Sequence, residues 1–203
     1  MPRAAPIVGL VLLLAGCASG GGADGPAPLR ARDFAPAQIR QPLILVRLTL
    51  GDVELGERDR AAVPGEYEGA LLEGLNRRAV LARDVRVLGA REAGFDERRA
   101  LARAREVGAD HAILVDVRVA REVVTACAET RRPLRGSAIV WKQDVAVLRA
   151  SDGSARLRLV GSPGMSALDT DVDCDKPRES RRRSRADIVD DAVDRLLGRL
   201  FGG

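Results

Sequence analysis

The sequence predicts an α/β domain with a mixed sheet of about five strands, in the order β-α-β-α-β-β-β-α, preceded by a disordered tether. Three observations support this fold class. Alternating apolar residues mark the strands, apolar residues at helical spacing separate the first three strands, and an amphipathic segment closes the chain. Strands joined through helices are connected by right-handed crossovers, so we expect the first three strands to be parallel and the last two to add antiparallel.

The first half of the domain alternates strands with helices. Apolar and polar residues alternate from Ile44 to Leu50, and residues 84–88 (DVRVL) form a short second strand. Between them the spacing predicts a helix from Pro64 to about Arg78. A second helix is expected to start at the N-cap Asp96 and to end at Gly108 in a left-handed turn.

The third and fourth strands are each predicted to place apolar residues on one face, and a tight turn joins the fourth strand to the fifth. Residues 111–119 place every second residue, beginning with His111, on one face, with Asp116 and Arg118 on the other. A two-residue Asp-Gly loop would set Val147 opposite Arg158. A three-residue loop with Gly153 left-handed sets Val147 opposite Leu157 and Val145 opposite Leu159, which keeps apolar residues together, so we predict the three-residue loop.

The last element is a helix from about Arg185. Ser184 and Asp187 resemble a capping box. Seven apolar residues recur at helical spacing and predict a buried stripe: Ile188, Val189, Ala192, Val193, Leu196, Leu197 and Leu200.

The N-terminal 41 residues differ in composition from the rest. Residues 18–41 are rich in Gly, Ala and Pro and lack apolar periodicity, which predicts a flexible tether spanning about 27 Å on average. The α/β domain is expected to occupy residues 42–203. Gly20 to Gly25 matches GxGxxG, but no strand precedes it, so it is interpreted as a spacer and not as a dinucleotide site.

Residues 14–17 (LAGC) follow a positively charged start and a short apolar run at residues 7–14. The run is too short for a permanent membrane span but is typical of an export signal. The tetrapeptide resembles a bacterial lipobox. That resemblance implies removal of residues 1–16 as a signal peptide, lipidation of Cys17, and, with Ala18 next, sorting to the outer membrane on its periplasmic face. The alternative is an ordinary signal peptide with a chance cysteine.

Two cysteines remain after lipidation, Cys127 and Cys174. An exported chain lies in an oxidising compartment, where an even pair is typical of a disulfide. The predicted topology also brings the loops that carry both cysteines to the same end of the sheet. A metal site is the alternative, but the sequence lacks CxxC spacing and a nearby histidine.

The inventory of reactive residues is poor, which argues against an enzyme. His111 is the only histidine and lies in phase with core residues, so it is interpreted as structural. The sequence has no GxSxG turn and no P-loop, and we predict no cofactor. The formal net charge of +4 is small, and export excludes nucleic acid as a partner.

Two charged runs near the C-terminus each allow two interpretations. Alternating carboxylates can converge on calcium, but Cys174 and Ser180 stand where the calcium-loop template needs Gly and Glu, so a solvated acidic loop is favoured. The arginines that follow could bind an anionic ligand or could form a solvated loop. The carboxylates are Asp169, Asp171, Asp173 and Asp175, and the arginines are Arg178, Arg181, Arg182, Arg183 and Arg185.

The order of elements, with residues 108–119 (GADHAILVDVRV) following an Arg- and Ala-rich helix, resembles a group of envelope lipoprotein folds. The group includes the amino-terminal domain of TolB, the penicillin-binding-protein activator lipoproteins and the curli secretion lipoprotein. With the lipobox-like tetrapeptide and the poor inventory of reactive residues, the sequence predicts a non-catalytic, outer-membrane-anchored periplasmic lipoprotein that acts as a binding or scaffold module for another envelope component, most simply a protein. Alternatives are a binding module for an anionic envelope ligand through the arginine-rich surface and, less favoured, an enzyme acting on the cell wall.

Overall fold

A computed structural model describes residues 28–130, 133–162, 164–176 and 179–202. Within these residues the chain forms a mixed seven-stranded sheet, a separate two-stranded ladder and three α-helices. The strands are β1 (Leu29–Arg30), β2 (Leu43–Leu50), β3 (Asp84–Gly89), β4 (His111–Ala126), β5 (Leu134–Arg149), β6 (Ala155–Leu159), β7 (Ser166–Leu168), β8 (Thr170–Asp171) and β9 (Arg181–Arg182). The helices are α1 (Glu57–Arg77), α2 (Glu97–Glu106) and α3 (Arg185–Phe201).

The sheet has the order β1-β6-β5-β4-β2-β3, with β7 pairing with a further part of β5. Strand β2 is parallel to both β3 and β4, whereas β5 is antiparallel to β4 and to β6. The predicted directions of the five strands are therefore confirmed. The structure adds β1 and β7 to the predicted sheet.

The β5–β6 turn has the predicted register. Val145 pairs with Leu159 and Val147 with Leu157, and Gly153 adopts a φ of 73°. A register shift follows Val147, where the strand meets the turn. This register keeps the apolar residues of both strands on one face.

Helix α1 begins at Glu57, seven residues before the predicted start at Pro64. Proline is favoured in the first turn of a helix, and that rule led to the wrong boundary. Pro64 lacks the N–H that would bond the carbonyl of Arg60. The additional turns persist because Val63 is fully buried and the acidic Glu57 and Asp59 face the positive end of the helix dipole.

Helices α2 and α3 have the predicted ends. The Asp96 carboxylate accepts a hydrogen bond from the amide of Arg99, and Gly108 has a φ of 69°. Ser184 and Asp187 form the reciprocal capping box of α3. All seven residues of the predicted α3 stripe are buried.

Two apolar cores lie on opposite sides of the sheet. The first face, which includes Ile113 and Val147, is covered by α1 and α3, whose stripes complete the larger core. The second face is covered by α2 at one end only. There Ala100 and Ala104 pack on Leu43, Leu114 and their neighbours.

The predicted domain boundary at residue 42 is corrected for residues 28–41. Leu29 and Arg30 pair with β6, and Phe34 and Ile39, each 5% exposed, belong to the larger core. These two side chains bury enough apolar area to hold a segment whose composition otherwise predicts a tether. The predicted signal peptide, Cys17 and the rest of the tether lie outside the described residues.

Candidate functional site

The predicted cysteine pair is bonded in the structure. Cys127 and Cys174 form a disulfide, with their Cα atoms 5.6 Å apart. Cys127 follows β4 directly and Cys174 lies between β8 and β9. The bond therefore ties the end of the long β4–β5 hairpin to the segment carrying the small ladder.

The four aspartates considered for calcium do not form one site. The Asp169 carboxylate is 8% exposed and accepts hydrogen bonds from the amide of Ile139 and the hydroxyl of Thr170. Asp173 accepts from the amides of residues 175 and 176, 2.9 and 2.8 Å away. Across the residues that the structure describes, no group of three or more His, Cys, Asp or Glu side chains is placed to hold a metal ion.

The arginine-rich run is partly used within the fold. Arg183 forms an ion pair with Asp191 at 2.7 Å. Arg185 bonds both carboxylate oxygens of Glu66 and contacts Asp59 at 2.9 Å, and these partners raise the pKa of its guanidinium. Arg181 and Arg182 are exposed on β9, and Arg178 lies outside the described residues. Two of the five arginines therefore attach α3 to its surroundings.

The only histidine lies in a structural setting. His111 is 5% exposed, and its Nδ1 is 3.3 Å from Oδ1 of Asp110. The other Asp110 oxygen accepts hydrogen bonds from the amides of Arg40 and Gln41, at 2.6 and 3.1 Å. The Gly-Ala-Asp sequence before β4 therefore fixes the chain that enters β2. Ser151 lines the same depression of about 580 Å³, but no hydrogen bond joins it to His111 in the described part of the chain.

The uncovered part of the second face carries a ladder of opposite charges, which we call the open half-face: Arg47, Asp116, Arg118, Glu122, Lys142 and Asp144. Arg47 donates two hydrogen bonds of 2.9 Å to the Asp116 carboxylate, and this bonding raises the pKa of the guanidinium. Arg118 pairs with Asp144, and Lys142 contacts Glu122 at 2.6 Å.

A depression of about 380 Å³ lies between the open half-face and the start of α2. The Arg47 guanidinium stands over the Phe95 ring at 4.5 Å, and Arg158 reaches Glu97 of α2 at 2.5 Å. Apolar side chains such as Leu114 line its floor. The depression therefore combines an aromatic ring, apolar surface and ordered charges of both signs, which suit it to binding a polar partner.

The lengths of the elements explain why this surface is uncovered. Helix α2 has 10 residues and is about 15 Å long. Strand β4 has 16 residues and extends over about 50 Å. One short helix can therefore cover only one end of the second face. Parallel strands such as β2 and β4 are normally covered on both faces, so an exposed charged half is unusual for them.

Sequence patterns predicted that Arg47, Asp116 and Arg118 point away from the core, but not that they form one surface. The grouping depends on register, because Arg47 faces Asp116 across β2 and β4, and Asp116 faces Asp144 across β4 and β5. The alternation of charged and apolar residues within each strand was the available signal.

No known protein family and no curated protein matches the chain. Several solved structures match the chain at low identity. The PelC dodecamer from Paraburkholderia phytofirmans is 12% identical, with 87% of this chain and 96% of that chain covered and a TM-score of 0.43. The hypothetical protein CT253 from Chlamydia trachomatis is 11% identical (81% and 99% covered, TM-score 0.40). Lipoprotein GNA1162 from Neisseria meningitidis is 13% identical (80% and 99% covered, TM-score 0.34).

Likenesses at these scores do not place the chain in a family. Among the described residues, none of the helices is long and apolar enough to span a bilayer.

Proposed function

We propose that this protein is a non-catalytic lipoprotein, anchored through Cys17 in the outer membrane and facing the periplasm, whose open half-face binds another envelope component. The anchor is supported by the complete lipobox-like tetrapeptide at residues 14–17 and by the charged and apolar segments that precede it. The disulfide between Cys127 and Cys174 suits the oxidising compartment to which such a signal leads.

The observation that carries the binding role is the uncovered face of the parallel strands β2 and β4. Its charged side chains are held in place by bidentate or short ion pairs, as between Arg47 and Asp116. Ordered side chains lose little conformational freedom when a partner binds, so such a surface is suited to recognition.

The anchor is tested by metabolic labelling with radioactive palmitate. The wild-type chain should incorporate label and fractionate with the outer membrane, and Cys17→Ala should do neither. The disulfide variant Cys174→Ser serves as the matched control, since it removes a cysteine but leaves the lipobox intact. An unlabelled wild-type chain would contradict the anchor.

The binding surface is tested by cross-linked pull-down of the lipidated protein from its native envelope, followed by mass spectrometry. Arg118→Glu with Lys142→Glu reverses two exposed charges on the open half-face, whose side chains are 53% and 44% exposed. This double variant should lose the captured component. The control, Arg58→Glu with Arg199→Glu, reverses two exposed arginines on α1 and α3 and should retain it.

Equal capture by both double variants would reject the open half-face as the binding site. Capture that persists in the open-half-face variant but fades as salt rises would favour the arginine-rich surface instead. Release of fragments from purified sacculi by the protein would overturn the non-catalytic assignment.

A further inference from the structure

We infer that the sheet edge formed by residues 28–32, which we call the β1 edge, docks on the anionic phospholipid surface to which the chain is anchored. The inference rests on the proposed anchor at Cys17 and adds to it a second, non-covalent membrane contact. It concerns a part of the molecule distinct from the open half-face.

The first support is the distance over which the chain can separate the anchor from the sheet. About 12 residues lead from Cys17 to Leu29, the first residue of β1. At most 3.3–3.6 Å per residue is available, so Leu29 cannot lie more than about 43 Å from the lipidated residue, whatever the conformation between them. A flexible chain of 12 residues has an average end-to-end separation of about 19 Å.

This average separation is close to the size of the domain itself, whose radius of gyration is about 16 Å for a chain of this length. Because the domain begins at residue 28 and not at residue 42, the segment between Cys17 and the domain is shorter than the sequence predicted. The β1 edge is held near the headgroups.

The second support is the chemistry of the β1 edge. Leu29 is 43% exposed, and both Arg30 and Arg32 are exposed. Neither arginine forms an ion pair with another described residue, and Arg30 only overlies the Phe34 ring at 5.9 Å. Both guanidinium groups are therefore available to bind phosphate, for which arginine has a bidentate geometry.

The arginines next to this edge behave differently. Arg156 contacts Asp33 at 2.6 Å, and Arg158 contacts Glu97 at 2.5 Å. Both are paired with acidic side chains, so the unpaired positive charge at this edge lies on the outermost segment.

The third support is the position of β1 in the sheet. It is the terminal strand, and β6 is its sheet neighbour among the described residues. The side of β1 that faces away from β6 thus remains open to a flat surface. An exposed leucine beside two unpaired arginines matches the boundary between phospholipid headgroups and acyl chains.

The expected strength follows from general values. Each arginine near an anionic leaflet favours binding roughly fivefold, so the pair favours docking roughly twenty-five-fold. Tethering makes this contact intramolecular, so such a modest preference suffices to hold the domain down. The attraction decays over a Debye length of about 8 Å at physiological salt, and this length shortens as salt is added, so docking should weaken at 0.5 M salt.

The test uses the acylated mature protein, reconstituted in vesicles of phosphatidylethanolamine with or without 30% phosphatidylglycerol. A photoreactive amino acid replaces Leu29, or, as a matched control, the 71% exposed Leu81 on the loop before β3. Cross-linking to phospholipid is quantified by mass spectrometry. We expect at least fivefold more lipid adduct from position 29 than from position 81, with phosphatidylglycerol present and at low salt.

Charge variants separate docking from simple proximity. Arg30→Gln with Arg32→Gln should reduce the ratio of membrane-docked to undocked domains roughly twenty-five-fold. The control, Arg91→Gln with Arg98→Gln, removes two exposed arginines elsewhere and should leave the ratio unchanged.

Equal phospholipid adduct from positions 29 and 81, or an equal loss of docking in the two double variants, would overturn docking of the β1 edge. The proposed function, an acylated protein that binds a partner, would not be affected by either result. A chain that carries no acyl group, which intact-mass measurement detects before reconstitution, would overturn the proposed function and this inference with it.

Discussion

Replacing Gly74 by alanine should destabilise the domain, although alanine is the better helix former. A Cβ atom at this position of α1 would lie 2.5 Å from Leu197 Cδ1 and 3.3 Å from Val193 Cγ1 of α3. Carbon atoms in contact prefer 3.5–4.0 Å, so one helix must shift or a buried leucine must leave its rotamer. Overpacking of this kind costs about 1–3 kcal/mol.

Gly69 supplies a matched control on the same helix, because a Cβ there would meet no atom within 4 Å. Gly69→Ala should gain about 0.5–1 kcal/mol from helix propensity alone. Since both substitutions share that gain, the difference between the two variants isolates the overpacking cost of about 1–3 kcal/mol.

Urea unfolding followed by tryptophan fluorescence measures this difference. Trp141 is the single tryptophan, is 2% exposed and stacks near Tyr67, so its emission reports the core between α1, α3 and the sheet. Equal stabilities of the two variants, within about 0.5 kcal/mol, would show that α1 and α3 do not approach each other this closely.

Three further predictions concern the interior, the crosslink and the cap of α3. Tyr67→Phe should lower the free energy of unfolding in urea by about 1–3 kcal/mol, because the Tyr67 hydroxyl donates at 2.7 Å to the buried amide oxygen of Gln143, which would lose its partner. An unchanged free energy of unfolding would contradict this hydrogen bond. Serine at both disulfide positions should lower stability by up to about 4 kcal/mol and speed hydrogen exchange in the β4–β5 tip, whereas unchanged exchange would show that the tip is ordered without the bond. Hydrogen bonds from Ser184 lower the pKa of the Asp187 carboxyl below 3.8, so the ionised carboxylate stabilises the fold above that value and this stabilisation is lost as the pH falls through the lowered pKa. Asp187→Asn should flatten this part of the pH dependence of the melting temperature. An unchanged slope would refute the role of this carboxylate.

Local patterns predicted the elements whose stability is local or strongly periodic. The α3 stripe repeats over 17 residues, and its cap is a short sequence motif. The β5–β6 register followed from a single choice between loop lengths, because only one choice kept Val145 and Val147 opposite apolar residues.

The N-terminal segment could not be predicted in this way. Phe34 and Ile39 are isolated apolar residues among Gly, Ala and Pro, so no periodicity marks them. Their burial depends on a core that includes residues of α3 and on pairing of β1 with β6, more than 120 positions away in the chain. The open half-face was hidden for a related reason, since its ion pairs join three strands whose relative register no single segment encodes.

The topology itself explains why the open half-face exists. Right-handed crossovers place α1 on the first face as the chain moves outward from β2 to β3, and α2 on the second face as it returns across β2 to β4. The remaining strands, β5 and β6, are joined by antiparallel turns that contribute no helix, and α3 returns to the first face beside α1. The second face of the described chain thus receives a single 10-residue helix, whereas the two strands of the β4–β5 hairpin have 16 residues each. Apolar residues there would leave an exposed patch that promotes aggregation, whereas paired charges keep this uncovered surface soluble. Arg118→Leu with Asp144→Leu should therefore increase self-association on gel filtration. A strictly monomeric double variant would show that this surface is too narrow to act as an interface.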